Sequence, residues 1–384
     1  MVAIPETREF VGRRPETDEA LAVLPATSQA ALRQFSIERT VGYGVDYADA
    51  VELRGRVVDG QDWQQAATDL ARTCLSRAES APAAFVPTRA GYLRRASALL
   101  RMSQMMMLSD TRERREIYAG AAHLYNQAAE LLGDRRRVSI RTDREPLIGW
   151  LFSAARPAGA SVVVIGGVEG HAMDFDSLGV AFAARGVDAL VLDGPGQGES
   201  RFAHHHYLSA QWLDAYRHAI DYLDRRAPGR PIGFAGNSMG GSFAMTVAAA
   251  DVRISACCDN GGILAPWLVP PSAGAFHSKM LAFCGTDDPE QAMQAWKTVA
   301  PGTTGPNAGY PLLIVHGGRD PLVSTEQARL VLDSVPTADK QMVVFTDGEH
   351  CIYNHKTDRD VLITDWMTAR LTGTARPTTS NPEG

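Results

Sequence analysis

The second part of the chain alternates between short apolar segments and segments with helical periodicity, and this alternation constrains the fold more than any other feature. Strands buried on both faces read as continuous apolar runs, and helices between them return the chain so that successive strands run parallel. The pattern therefore predicts a mostly parallel, eight-stranded sheet with helices on both faces. The predicted strands cover residues 138–141, 147–152, 161–165, 188–192, 231–235, 254–258, 312–315 and 341–345.

The residues before this part predict a separate helical region. Apolar side chains recur there at three- and four-residue intervals, as one buried helix face requires. Thr88 and Thr111 are predicted to cap two of its helices, and Gly133 to end the last one. We predict an N-terminal arm and helical cap domain over residues 1–136, an α/β domain over 137–372, and a disordered tail over 373–384.

The α/β domain contains one irregular stretch, at residues 263–309. It is rich in proline and too long for a plain loop. We interpret it as a small insertion over the carboxyl edge of the sheet, a position where substrate pockets often form.

A G-x-S-x-G motif, Gly236-Asn237-Ser238-Met239-Gly240, lies between a predicted strand and a predicted helix. A nucleophilic serine at such a sharp turn needs glycine neighbours, because the strained backbone leaves no room for side chains. Ser238 is therefore the predicted nucleophile, and the backbone N–H of Met239 is a predicted oxyanion donor. The alternative is an ordinary helix-capping serine.

A serine nucleophile needs a base, and the base needs a carboxylate that fixes its tautomer. The expected chain order is serine, acid, histidine. Asp320 follows one strand and a Gly-rich turn, and His350 follows the next strand. Among competing acids, Asp347 and Glu349 lie too near His350 in sequence to reach around its ring, and Asp333 belongs to a helix. We predict a triad of Ser238, His350 and Asp320.

The loop at 165–171 is expected to supply the second oxyanion donor, because its glycines allow the backbone to approach substrate. The predicted donor is the N–H of Val168, with Gly167 or Glu169 as alternatives. The Glu169 carboxylate is predicted to contact substrate, and the alternative is a loop acid satisfied by nearby amides.

Other motif-like runs are interpreted as structural. The Gly-rich run 193–200 lacks the GK[ST] ending of a phosphate loop. Three adjacent histidines, 204–206, cannot all face one metal ion in a regular element. His316 is assigned to a strand end and His355 to the start of the last helix.

Composition excludes several classes of function. The net charge of −6 and the absence of a long basic run argue against nucleic acid or an anionic membrane as the partner. The five cysteines show no C-x-x-C spacing, so we expect neither disulfides nor a zinc site, and no other metal or cofactor. Residues 1–14 show no signal-peptide pattern, and no apolar stretch is long enough to cross a membrane. We expect a cytoplasmic protein.

The chain resembles the FrsA-like group of α/β-hydrolases, which includes the polyketide-shortening hydrolases of fungal pigment synthesis. The resemblance runs from about residue 41 to 371. It implies an α/β-hydrolase fold preceded by a helical cap, a pocket between the two, and a homodimer. In several members of the group the reaction is hydrolysis of a carbon–carbon bond beside a ketone, and others are esterases. The matching stretches are 43–49, 166–169, 193–199, 236–241 and 349–354.

The sequence departs from the group in the insertion. Some carbon–carbon hydrolases of the group use an extra carboxylate there, yet residues 263–286 contain no Asp or Glu. The stretch is apolar, and Trp267 is a predicted substrate contact. Met106 is a second predicted contact, with a place in the helix core beside Met102 as the alternative.

These observations predict a serine hydrolase that cleaves a carbon–carbon bond of a β-dicarbonyl compound, or an ester, in a largely apolar, polyketide-like small metabolite. One alternative is an acyltransferase or cyclase that uses the same triad. Another is a non-catalytic binding protein on a hydrolase fold.

Overall fold

A central eight-stranded sheet organises the molecule, in the order β1-β2-β4-β3-β5-β6-β7-β8. The computed structural model describes residues 18–301 and 305–374. Strand β2 runs antiparallel to both of its neighbours, and all other neighbours are parallel, so the predicted mostly parallel sheet is confirmed. The strands are β1 (Arg136–Ile140), β2 (Leu147–Phe152), β3 (Ala160–Ile165), β4 (Val187–Asp193), β5 (Ile232–Asn237), β6 (Ile254–Asn260), β7 (Leu312–Gly317) and β8 (Lys340–Phe345).

Seven helices precede the sheet in the described part of the chain, which confirms the N-terminal helical region. They are α1 (Asp18–Ala22), α2 (Ala26–Gln34), α3 (Ile37–Gly42), α4 (Tyr47–Val58), α5 (Trp63–Ser80), α6 (Val86–Ser103) and α7 (Arg112–Leu132). Their apolar faces form one cluster, which also includes Cys351 and Tyr353 from the segment after β8. The helical region therefore packs directly on the segment that follows His350.

Eight further α-helices follow β3 in the described part of the chain, and those outside the insertion pack along the sheet. They are α8 (Asp176–Ala184), α9 (Gly198–Phe202), α10 (Trp212–Arg226), α11 (Met239–Ala250), α12 (Ala275–Phe283), α13 (Pro289–Trp296), α14 (Thr325–Ser334) and α15 (Lys356–Leu371). Large aromatic side chains fill both layers: Trp212 and Phe243 lie in one cluster, and Trp150 and Phe182 in the other. Fully apolar strands such as β3 are buried on both sides for this reason.

The insertion after β6 carries helices α12 and α13 and two short 3₁₀ turns, Pro266–Leu268 and Pro271–Ala273. Residues 302–304 of the insertion lie outside the described residues. So do residues 1–17, at the start of the predicted arm and cap, and residues 375–384 of the predicted tail. No helix in the described part of the chain is both long and apolar enough to cross a membrane.

Two predicted helix ends are confirmed and one is wrong. The Thr111 side chain accepts the Arg114 N–H at the start of α7, and Gly133 ends that helix with a φ of 62°. Helix α6, however, begins at Val86 rather than after Thr88. Pro87 explains the difference, because proline lacks the N–H that the first turn leaves unpaired and so fits inside it.

Candidate active site

Ser238 occupies a strained turn between β5 and α11. Its φ of 55° and ψ of −132° are rarely adopted by a residue other than glycine. The turn is so tight that a Cβ on Gly236 would lie 2.0 Å from the carbonyl oxygen of Gly240. The Ser238 N–H donates to the Asn260 carbonyl at 2.8 Å, which anchors the turn to β6. The hydroxyl is therefore presented at the carboxyl edge of the sheet.

His350 links Ser238 to Asp320 through two hydrogen bonds. Its Nε2 lies 2.8 Å from the Ser238 Oγ, and its Nδ1 lies 2.7 Å from the Asp320 Oδ2. The other carboxylate oxygen of Asp320 accepts the N–H groups of Leu322 and Val323 at 2.8 and 3.1 Å. Because Asp320 occupies Nδ1 as an acceptor, the ring carries its proton there and leaves Nε2 free to accept the serine proton. The structure thus brings the three predicted residues together.

The competing acid Asp347 is engaged elsewhere, since its Oδ1 lies 2.9 Å from the Nε2 of His355. Asp333 lies on α14, as predicted. In the described residues, no group of three or more His, Cys, Asp or Glu side chains is arranged to hold a metal ion.

The backbone after His350 is unusual. Cys351 and Ile352 both have positive φ, 58° and 56°, and a β-branched residue rarely tolerates this conformation. The Cys351 carbonyl accepts a hydrogen bond of 2.6 Å from the buried guanidinium of Arg359, which is also paired with Asp360. Tertiary contacts therefore hold the turn that places the histidine.

The electrostatics of the site keep Asp320 ionised and make His350 more basic. Burial lowers the pKa of His350, but the neighbouring Cys351 side chain and the Asp320 carboxylate raise it, and the net shift is upward. Burial raises the pKa of Asp320, but its hydrogen bond to His350 and the two backbone donors outweigh burial and lower it. Asp320 is thus ionised at neutral pH, and His350 is a stronger base than an ordinary histidine.

The two predicted oxyanion donors border the nucleophile. Met239 is the first residue of α11, where the N–H has no acceptor within its own helix. Val168 lines the cavity at Ser238, and a Cβ on the preceding Gly167 would lie 2.7 Å from the Cβ of Ser238. Glycine at 167 is what allows this backbone to approach the serine so closely.

The Gly-rich run at 193–200 supports the loop that carries Val168. The buried Gln197 side chain donates to the carbonyls of Gly166 and Gly167 at 2.5 and 3.0 Å and accepts the Gly194 N–H at 2.8 Å. In a trans peptide the C=O and N–H point in opposite directions. Because Gln197 holds the Gly167 carbonyl from one side, the Val168 N–H is directed to the other.

Glu169 has side-chain partners that its sequence context did not reveal. Its carboxylate accepts from Gln34 at 2.6 Å and from Arg39 at 3.0 Å, and it forms an ion pair with Lys279. Burial raises the pKa of Glu169, but Lys279 and Arg39 lower it by a larger amount. The net shift of the pKa is downward, so the carboxyl group is ionised. The carboxylate thus joins the helical region, the loop at 165–171 and the insertion. The idea that nearby amides alone satisfy it is wrong, because its partners are distant side chains, two of them cationic.

A small cavity of about 50 Å³ lies at Ser238. Glu169 is in its wall, together with residues that the sequence did not single out, including Arg39, Tyr43, Phe276 and Tyr353.

The structure does not bring Trp267 or Met106 to this cavity. Trp267 packs half-buried against the core cluster beneath the insertion, and Met106 packs against the core of the helical region. Both side chains thus pack against apolar cores away from the cavity. The prediction that they line the site is wrong.

The sheet order, the strained serine turn and the residues gathered at the carboxyl edge define an α/β-hydrolase, which is a class of enzymes. The chain belongs to the serine aminopeptidase S33 family, whose model matches residues 156–278 and 287–357.

Individual relatives agree with the resemblance seen in the sequence. The chain is 26% identical over 330 residues to the 2,6-dihydropseudooxynicotine hydrolase of Paenarthrobacter nicotinovorans, covering 84% of this chain and 88% of that protein. The crystal structure of 2,6-dihydroxy-pseudo-oxynicotine hydrolase superposes with a TM-score of 0.77 at 25% identity, over 89% of this chain and 98% of that one. AbyA5 shares the fold, with a TM-score of 0.63 at 16% identity over 79% of this chain and 89% of its own. The predicted relationship is confirmed.

Proposed function

We propose that this enzyme is a serine hydrolase in which Ser238, His350 and Asp320 form the catalytic triad, and that it cleaves a carbon–carbon bond beside a ketone, or an ester, in a small metabolite. The observation that carries the proposal is the continuous hydrogen-bond chain from Oγ through the imidazole to the carboxylate, at 2.8 and 2.7 Å. This chain of hydrogen bonds ends at Ser238, which has a strained backbone conformation and lines the cavity. A helix-capping serine needs neither feature.

The reaction follows from these positions. His350 Nε2 takes the hydroxyl proton as Oγ attacks the substrate carbonyl, and the N–H groups of Val168 and Met239 stabilise the oxyanion. Collapse of the tetrahedral intermediate breaks the bond to the leaving group, which receives the proton from His350. Water, activated by the same histidine, then hydrolyses the acyl-enzyme and restores Ser238.

The two candidate substrates differ only in the leaving group. An ester releases an alkoxide, whereas a β-dicarbonyl compound releases a carbanion stabilised as an enolate, and His350 can protonate either one. Carbon–carbon cleavage is favoured by the similarity to the FrsA-like group over most of the chain. Residues 263–286 of the insertion contain no carboxylate. Glu169 is ionised and held by Lys279 and Arg39, so we assign it a positioning role rather than that of a proton donor.

An acyltransferase or cyclase would use the same residues with a substrate hydroxyl or carbon in place of water. The proposed partner is one small molecule, of polyketide-like size and polarity. A homodimer is proposed from the resemblance alone. The cytoplasm fits the five cysteines, all of which are unpaired thiols.

The test combines labelling with product analysis. A fluorophosphonate should label the wild-type enzyme at Ser238 and leave Ser238→Ala unlabelled. The enzyme is then incubated with a β-diketone and with an aryl ester, and products are identified by mass spectrometry. An acid plus a methyl ketone establishes carbon–carbon hydrolysis, and turnover of the ester alone assigns an esterase. Equal turnover by a correctly folded Ser238→Ala variant would refute the triad.

A further inference from the structure

The cavity at Ser238 continues into a larger outer cavity. The outer cavity has a volume of about 480 Å³ and shares several wall residues with the inner one, among them Arg39, Glu169, His350 and Tyr353. Phe276 and Leu322 also line both. A substrate that is longer than the inner cavity, with its carbonyl at Ser238, extends along the wall formed by Phe276 and Leu322 into the outer cavity.

The walls of the outer cavity carry an excess of positive charge. Three arginines line it, Arg33, Arg39 and Arg319, against two carboxylates, Glu169 and Glu349. Lys279 lies directly behind Glu169 as its ion-pair partner. These six groups together carry two net positive charges at neutral pH, although the whole chain has a net charge of −6. The local sign is thus opposite to that of the protein.

Two of these arginines, Arg33 and Arg319, are not held in ion pairs within the described residues. Within residues 18–301 and 305–374, no carboxylate lies at ion-pair distance from Arg33 or Arg319, and Arg33 donates only to the neutral Gln29 side chain, at 2.9 Å. Arginines elsewhere on this chain are commonly paired; Arg253, for example, contacts both Asp221 and Asp251.

The two arginines come from different parts of the fold. Arg33 lies on α2, and Arg319 lies between β7 and α14, where its N–H bonds to the Gly348 carbonyl at 2.9 Å. They line the same cavity from the helical region and from the sheet edge.

We propose that the substrate carries an anionic group, a carboxylate, at the end remote from the bond that is cleaved, and that Arg33 and Arg319 receive it in the outer cavity. The proposal rests on the proposed function, because it takes Ser238 as the reacting end. A guanidinium offers paired donors that match the two oxygens of a carboxylate. Phe276 and Leu322 contact the apolar body between the two ends. Arg39, which faces both cavities and is fixed on Glu169, adds positive potential without leaving its partner.

The test compares pairs of esters in which one member carries a carboxylate where the other carries a methyl group. The first pair, mono-4-nitrophenyl glutarate and 4-nitrophenyl pentanoate, places the carboxylate on the acyl part. The second pair, 4-(butanoyloxy)benzoate and 4-methylphenyl butanoate, places it on the leaving part. We expect the wild-type enzyme to prefer the anionic member of at least one pair by about tenfold in kcat/KM, since charge-assisted hydrogen bonds to a half-solvated carboxylate are of that strength. The preference should lie mainly in KM and should weaken in about 0.5 M salt.

The variants locate the effect. Arg33→Gln with Arg319→Gln should abolish the preference, whereas Arg329→Gln, an exposed arginine on α14 that lies outside both cavities, should retain it. Equal turnover of both members of both pairs by the wild-type enzyme would overturn the proposal, as would a preference that survives in the double variant.

Failure of the proposed function gives a different result. In that case neither fluorophosphonate labelling of Ser238 nor ester turnover is seen. If Ser238 is labelled but none of the four esters is hydrolysed, protection against the label supplies the comparison. Monomethyl glutarate should protect Ser238 at lower concentration than methyl pentanoate does, and equal protection would count against the anionic substrate.

Discussion

Replacing Asp320 with asparagine tests the proposed triad most sharply, because the change alters one hydrogen bond and leaves the shape intact. The Asp320 side chain has no exposed surface, and one of its oxygens accepts the N–H groups of Leu322 and Val323. An asparagine oxygen keeps both of these bonds. The amide NH₂ then faces the His350 Nδ1, which must accept, so the ring proton moves to Nε2 and opposes the hydroxyl of Ser238.

The expected loss in kcat is about 10⁴-fold, as for the same substitution in the serine protease triad. At 1.36 kcal/mol for each factor of ten, this loss corresponds to about 5.4 kcal/mol of transition-state stabilisation. The rate of fluorophosphonate labelling measures the loss without knowledge of the substrate, and kcat on an aryl ester measures it once an ester is found. Thermal unfolding should stay close to that of the wild type.

Asp347→Asn is the matched control, because Asp347 also accepts from a histidine after β8 but is bonded to His355. It should label at the wild-type rate. If Asp320→Asn labels within about tenfold of the wild type, or if Asp347→Asn is the slow variant, the assignment of Asp320 is wrong.

Three further predictions concern the same site. Gly167→Ala should lower kcat by about 100-fold and cost about 1–3 kcal/mol of stability, because the added Cβ would lie 2.7 Å from the Cβ of Ser238 and displace this residue; steady-state kinetics and denaturant unfolding check this. Because the pKa of His350 is raised and the base must be neutral, kcat/KM should fall as pH falls through a midpoint above 6.5, and a midpoint at or below 6.5 would contradict the electrostatic argument. Arg359→Met should destabilise the fold by about 3 kcal/mol in denaturant unfolding, because it removes the buried partner of Asp360 and of the Cys351 carbonyl, and an unchanged midpoint would show that the positive-φ turn is held by other contacts.

The sheet and the proposed triad were predictable because their signals are local. The central strands are mostly apolar, and Ser238, Asp320 and His350 each follow a strand, so the topology alone gathers them at one edge. The eight strands lie where the apolar runs predicted them, with ends that differ by one or two residues. The start of α6 differs from the prediction because Pro87 fits the first turn of the helix, so the helix begins before Thr88.

The walls of the site were not predictable, because they are made by contacts between distant segments. Gln34 and Arg39 reach Glu169 across 135 and 130 residues, and Lys279 across 110. No periodicity encodes such partners. Trp267 and Met106 show the converse: an apolar residue in a suitable segment has no pattern that separates a pocket wall from a core, and both proved to be core contacts.

The hydrogen bond between Gln197 and the Gly167 carbonyl restricts the motion of the peptide that joins Gly167 to Val168. The Gln197 amide is fully buried and is itself bonded to Gly194, so it holds this peptide plane in place. The plane is therefore not free to rotate when substrate binds. The direction of the Val168 N–H, the proposed oxyanion donor, is therefore set when the chain folds, and no part of the binding energy of a substrate is needed to produce it. Any shape change during turnover must occur elsewhere, in segments that do not include this peptide.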